Sequence, residues 1–205
     1  MNLTAQTRER VTTVAFMFAV TWVVISAVSA AHLLTRSRIQ INESLHLKSA
    51  LLKAAAIPLP ATPAEIIALF NQRIQEDTEG VTGAYRVSEA AGTGAPARVF
   101  LETGTGLWGP IVMAVGFDGV GGRVTGVEVV DQTETPGLGA RISEAGFRAQ
   151  FRGKLGPFSL ASGGTGEKED AMDAITGATI TSTAVRDILN RCVARAARPA
   201  QSERR

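Results

Sequence analysis

The sequence predicts an α+β protein in which a small antiparallel sheet packs with helices, preceded by one N-terminal transmembrane helix. Three observations carry that expectation. Val11 to Thr35 contains no Asp, Glu, Lys or Arg. Three runs between Ala97 and Asp131 are rich in β-branched and aromatic residues and are separated by glycine-rich turns, as hairpin-linked strands are. On either side of these runs, 62–74 and 182–197 repeat apolar residues at every third or fourth position, the spacing of helices with one buried face.

The uncharged run is flanked by Arg8 and Arg10 on one side and by Arg36 and Arg38 on the other. At about 1.5 Å per residue it exceeds the roughly 30 Å hydrocarbon core of a bilayer, so 12–35 reads as a membrane helix behind a short tail, 1–11. A cleaved signal peptide competes, because Val28-Ser29-Ala30 resembles a cleavage site, but the apolar stretch is longer than a usual signal h-region. Arginines at both ends leave the orientation open. Residues 36–60 place Ile39, Leu45, Leu51 and Leu52 among polar neighbours and end in Ile57-Pro-Leu-Pro60, the pattern of a stalk or linker helix stopped by proline.

A globular domain is expected over 61–197. Thr62-Pro-Ala-Glu65 combines an N-cap threonine, a proline in first place and a glutamate in third, which starts a helix. That helix is expected to run through Ile66, Ile67, Leu69, Phe70 and Ile74. Strands follow at Arg98 to Thr103, Ile111 to Phe117 and Val124 to Val130, with 118–122 as a hairpin connection. A short helix over 143–151 would pair Phe147 with Phe151, and 162–170 is a loop by composition. From Ser182 to Ala197 a final helix would bury Val185, Ile188, Leu189, Cys192, Val193 and Ala196, capped by Thr181 or Ser182. Residues 198–205 form a basic tail.

Charge and chemistry narrow the function classes. Residues 39–190 hold 17 acidic and 12 basic side chains, so the basic excess belongs to the chain ends and no nucleic-acid-binding stripe crosses the domain. Cys192 is the only cysteine, and no Cys/His cluster has metal-ligand spacing; zinc and iron–sulfur sites are not expected. His32 and His46 lie in or near the membrane segment, so there is no base for a nucleophilic triad and no complete catalytic set.

The most informative stretch is Asp173-Ala-Ile-Thr-Gly-Ala-Thr-Ile-Thr-Ser182. It sets hydroxyls around Gly177 and Ala178, which leave the backbone uncovered, at the start of a helix whose N–H groups favour an anion. A phosphate is the ligand such a place suits. The plainer reading is a glycine turn with ordinary N-cap residues.

This stretch resembles the Asp-x-x-Ser/Thr-Gly-Ala-Thr signature of the FMN-binding subunits of membrane redox pumps. These are the G subunit of the Rnf-type electron transport complex and the C subunit of the sodium-translocating NADH:quinone reductase. Glu134-Thr-Pro-Gly-Leu-Gly139 is similar to a second block of that family, and Gly106 to Ile111 and Phe147 to Lys154 resemble others. The likeness covers 98–190, and chain length favours the Rnf-type member. It implies FMN held covalently, as a phosphoester on Thr179, with Thr176, Gly177, Ala178 and Thr181 around the attachment point. Glu134, Thr135, Leu138 and Trp108 become candidate contacts of the isoalloxazine ring, with core packing the competing reading for Leu138 and Trp108. Asp173 would serve recognition by a magnesium-dependent flavin transferase, or would simply cap a turn.

The resemblance further implies an electron-carrying subunit of a complex that couples electron transfer, on the ferredoxin/NAD side, to ion translocation. It would sit with other membrane and peripheral subunits in the bacterial inner membrane, crossing it once, with residues 1–11 cytoplasmic and the FMN domain periplasmic. Two other readings stand beside it: a membrane-anchored covalent flavoprotein with a sensory or maturation role, and a binding module without cofactor.

Overall fold

The computed structural model describes residues 3–77, 83–88, 97–119, 122–161 and 170–197. Between Ser44 and Leu45 the chain divides into two compact units. Helix α1, Leu3–Ala54, begins in the first and ends in the second. In the first unit, Thr7–Arg36 is long and apolar enough to cross a membrane, with a mean hydropathy of 2.2. Consecutive Phe16, Met17 and Phe18 point to different sides and are all exposed, and a helix that is apolar on every side is suited to lipid rather than to water.

The second unit contains α2 (Pro63–Arg73), β1 (Ile74–Glu76), β2 (Ala84–Val87), β3 (Ala97–Thr105), β4 (Pro110–Phe117) and β5 (Val124–Asp131). A 3-10 turn (Gly139–Ser143), α3 (Ala145–Ala149), β6 (Ser159–Leu160), β7 (Ala171–Met172) and α4 (Thr179–Ala196) follow. Strands β1 to β5 form one antiparallel sheet in chain order, and β6 pairs with β7 in parallel. The domain is therefore α+β, as expected.

Strand alternation sends side chains to two cores. Phe100, Met113, Val115 and Phe117 meet Ile188 and Leu189 of α4 on one face, together with Phe151 and Phe158. Val99 and Ala114 face the other way, against Leu51, Leu52 and Ala54 at the end of α1, with Ile66, Leu69 and Phe70 of α2 half-buried beside them. Buried on both faces, β4 reads as a nearly continuous apolar run, Ile111 to Phe117.

Several expectations change. The 36–60 segment is not a plain stalk, because the last turns of its helix are core: Leu51 and Leu52 are fully buried. Nor do the prolines stop it. Ala56 N–H donates to Lys53 O and Ile57 N–H to Leu52 O, both at 2.9 Å, closing the end of α1 around Ala56 at φ 59°. Thr125 Oγ1 donates to Ala54 O at 2.7 Å and fixes that end to β5.

Thr62 does start α2, its Oγ1 accepting from Glu65 N–H, but Ile74 has already passed into β1 opposite Val87. Strands β1 and β2 were not anticipated; segments of three and four residues are too short for alternation to show. The expected 143–151 helix shortens to α3 after a 3-10 turn, although Phe147 and Phe151 do meet edge to face at 5.6 Å. Residues 120–121 of the 118–122 connection, 162–169 of the loop and the basic tail lie outside the described residues.

Candidate functional site

Chain geometry between Ile175 and Ser182 gives Thr179, Thr181 and Ser182 different surroundings. Ala178 N–H donates to Ile175 O at 2.9 Å, closing a tight turn whose third residue, Gly177, has φ +81°, a conformation that favours glycine. Helix α4 then begins at Thr179, three residues earlier than expected, with Ala178 as its N-cap and no side-chain cap. Neither Thr181 nor Ser182 caps it; both are buried inside its first turns. Ser182 Oγ accepts from Ile175 N–H at 3.0 Å and donates to Ala178 O at 2.9 Å. Thr181 Oγ1 donates to Glu134 Oε2 at 2.5 Å.

Thr179 differs from both. It is exposed, as Thr176 is, and its hydroxyl has no partner among the described residues. The uncapped first turn leaves peptide N–H groups free beside it, the positive end of an 18-residue helix.

The facing wall is built on Glu134, only 5% exposed. Its Oε1 accepts from the Leu107 and Trp108 N–H groups at 2.8 and 3.1 Å, so one carboxylate ties the 106–109 turn, 134 and α4 together. Trp108 Nε1 donates to Thr135 Oγ1 at 2.9 Å. Between the two walls lies a cleft of about 280 Å³, lined by Leu107, Glu134, Thr135, Leu138 and Gly139 on one side and by Gly177 to Thr181 on the other.

Among the described residues from Leu45 onward, the exposed large apolar side chains are Leu107 (51%), Trp108 (69%), Leu138 (44%) and Ile180 (57%). Three of them line this cleft, and Trp108 adjoins it through Thr135. Their exposure rules out core packing for Trp108 and Leu138. Elsewhere the described part of the domain covers such residues at least partly, so a concave apolar patch here marks a ligand or partner site.

The structure thus brings together seven of the residues singled out in the sequence: Glu134, Thr135, Leu138, Gly177, Ala178, Thr179 and Thr181. Thr176 and Trp108 stand outside the lining. Asp173 is exposed, with its N–H donated to Gln150 Oε1 at 2.7 Å. Leu107 and Ile180 went unrecognised. Their adjacency to Trp108 and Thr179 was a signal, but an isolated Leu or Ile in sequence reads as core. Among the described residues there is no group of three His, Cys, Asp or Glu that could hold a metal ion.

A family model described as FMN-binding domain matches residues 106–194, which contain both walls of the cleft. The G subunit of the ion-translocating oxidoreductase complex of Methanosarcina acetivorans is 33% identical over 176 residues, 85% of this chain and 90% of that one. The chain belongs to the FMN-binding subunit family of Rnf- and Nqr-type complexes. Within that family it is also similar to the C subunit of the Na(+)-translocating NADH-quinone reductase of Pasteurella multocida, 39% identical over 93 residues; the match takes in 40% of this chain and 34% of that longer relative. A crystal structure of the C subunit of the same type of reductase, from Parabacteroides distasonis, superposes with a TM-score of 0.61 at 26% identity, covering 76% of this chain and 92% of that one. Family membership and the apolar N-terminal helix together support a membrane-anchored FMN-binding protein.

Proposed function

We propose that this electron-transfer subunit of an Rnf- or Nqr-type ion-translocating complex carries its FMN as a phosphoester on Thr179. One observation carries the reading: of the hydroxyls at 176, 179, 181 and 182, the last two are buried and spent on internal hydrogen bonds and Thr176 lies outside the cleft lining, while Thr179 is both exposed and part of that lining. The residues present fit the cofactor. Thr179 would offer the ester oxygen, Gly177 and Ala178 leave its approach uncovered, and the N–H groups of the first turn of α4 would be available to the phosphate. A diester keeps one negative charge, and a helix N-terminus stabilises it by roughly 0.3–1 kcal/mol, which favours placement more than affinity.

Leu107, Leu138 and Ile180 present apolar surface to a flat ring. At about 280 Å³ the cleft is slightly smaller than the ~300 Å³ at which small-molecule pockets begin, so it would seat part of a flavin and leave an edge open to an electron-transfer partner. The bound flavin supplies the electron chemistry, and the protein supplies position and electrostatics. Exposed Asp173 is available to a flavin transferase during maturation. The apolar helix anchors the chain among the other subunits, with the flavin domain on the periplasmic side of the bacterial inner membrane and electrons exchanged on the ferredoxin/NAD side of the complex.

In-gel fluorescence of denatured protein, from a host that has the transferase, tests the attachment. Wild-type chain, Thr176→Val and Thr181→Val should give a fluorescent band and Thr179→Val none. A dark wild-type band of unmodified mass overturns the proposal.

A further inference from the structure

We propose that Glu134 is the positioning residue of this site: its buried carboxylate clamps the 106–109 turn onto the first turn of α4 and so holds the apolar wall at Leu107 in register with Thr179. Only the flavin arm of the test below rests on the attachment reading. As a sequence, Glu134 stands as a candidate ring contact; the structure turns its acceptors inward. Gly106 N–H bonds to Gly109 O across the turn at 2.8 Å, but the two N–H groups at the tip, on Leu107 and Trp108, go to Glu134 Oε1. The other oxygen takes the Thr181 hydroxyl, two residues beyond Thr179. Three donors from two elements converge on one side chain, and bonds to an ionised acceptor are stronger than neutral ones.

Neighbouring glycines are explained by the same clamp. A Cβ on Gly139 would lie 2.7 Å from Glu134 Oε2 and 2.8 Å from Thr181 Oγ1, and one on Gly106 would collide with Oε1. Gly139 is not in the left-handed region, so an alanine there is opposed by the clamp and not by its own backbone. Glutamine can reproduce the clamp, since its carbonyl oxygen accepts both N–H groups and its amide can donate to the Thr181 hydroxyl.

Amide hydrogen exchange on the full-length protein in detergent, without flavin, reads the clamp directly. Glu134→Ala and Gly139→Ala should speed exchange at Leu107 and Trp108 by about 10- to 100-fold, the loss expected for a bond to a charged acceptor, while Phe100 and Val115 in the sheet stay protected. Glu134→Gln, which keeps the acceptor without the charge, should fall between wild type and Glu134→Ala, closer to wild type. In flavin-loaded protein the two alanine variants should keep in-gel fluorescence, yet the native flavin anisotropy should fall toward that of a freely tethered dye, again with Glu134→Gln preserved.

Unchanged exchange at Leu107 and Trp108 in Glu134→Ala, or unchanged flavin anisotropy in both alanine variants, overturns the proposal. If Glu134→Ala also unprotects the sheet, Gly139→Ala decides, because it keeps the carboxylate. A dark wild-type band removes the attachment reading and leaves the exchange result standing on its own.

Discussion

Towards its C-terminus, α4 is held to the sheet by paired groups. Arg191 and Arg195 reach the two oxygens of Glu102 at 2.9 and 2.5 Å, and Arg195 also lies 5.0 Å over the ring of Phe100. Arg98 donates to Ala196 O at 2.8 Å, a cation at the negative end of the helix. Ile188, Leu189 and Cys192 are fully buried between these contacts. At the other end the same helix starts without a side-chain cap, exposes Thr179 and Ile180, and borders an open cleft. The first turn needs no side-chain cap to stay in place, because its inward hydroxyls, Thr181 on Glu134 and Ser182 on Ile175 and Ala178, hold it from the buried side. An element fixed on its buried face can keep the exposed face of the same turn available to a ligand.

The largest test of that division is Thr179→Val. It should remove all covalent flavin while changing stability by no more than about 0.5 kcal/mol, measured by in-gel fluorescence and by urea unfolding of the same sample. Leu189→Ala should do the reverse, costing about 3 kcal/mol in unfolding while the band stays fluorescent under folding conditions. If it dims the band as Thr179→Val does, the two ends are not separable.

Glu102→Ala removes the acceptor shared by two arginines and should cost about 1–3 kcal/mol with attachment intact. Burial, and after it the Glu102 carboxylate, pushes the Cys192 thiol up to about 12 from 9.0 despite Arg195 and Arg191 nearby. In this range the folded state holds its proton while the unfolded chain has lost it. The contribution is therefore fully present below pH 9 and fades toward pH 12, by at most about 1.4 kcal/mol per pH unit. Urea unfolding across that range should show a steeper fall for the wild type than for Cys192→Ala.

The smallest effect concerns α1, whose end is closed by backbone bonds around left-handed Ala56. Ala56→Gly should raise stability by up to about 1 kcal/mol, in the same unfolding assay. A loss instead would mean that the Ala56 methyl packs usefully.

Residue chemistry made much of this visible in advance. The three long strands fall where β-branched runs and glycine turns put them, and Thr62 starts α2 because cap and proline act locally. The start of α4 was less legible. Thr181 and Ser182 are good caps by type, but both hydroxyls are drawn inward by partners seven and 47 residues away in the chain. Leu51 and Leu52 likewise look like stalk residues until the sheet that covers them is in place. Local pattern cannot report a partner that only folding brings near.

Composition and order alone determined that this chain has one helix apolar on all sides, an α+β domain behind it, and a hydroxyl-rich turn resembling an FMN attachment signature. Those properties depend on hydropathy, strand-forming runs and short-range spacing, which survive in a linear chain. Which hydroxyls stay exposed, which carboxylate is buried, and which four large apolar side chains remain at the surface among the described residues from Leu45 onward were decided by tertiary structure. Hydrogen bonds and burial are settled between residues far apart in sequence, and at this site it is their distribution that separates Thr179 from Thr181 and Ser182.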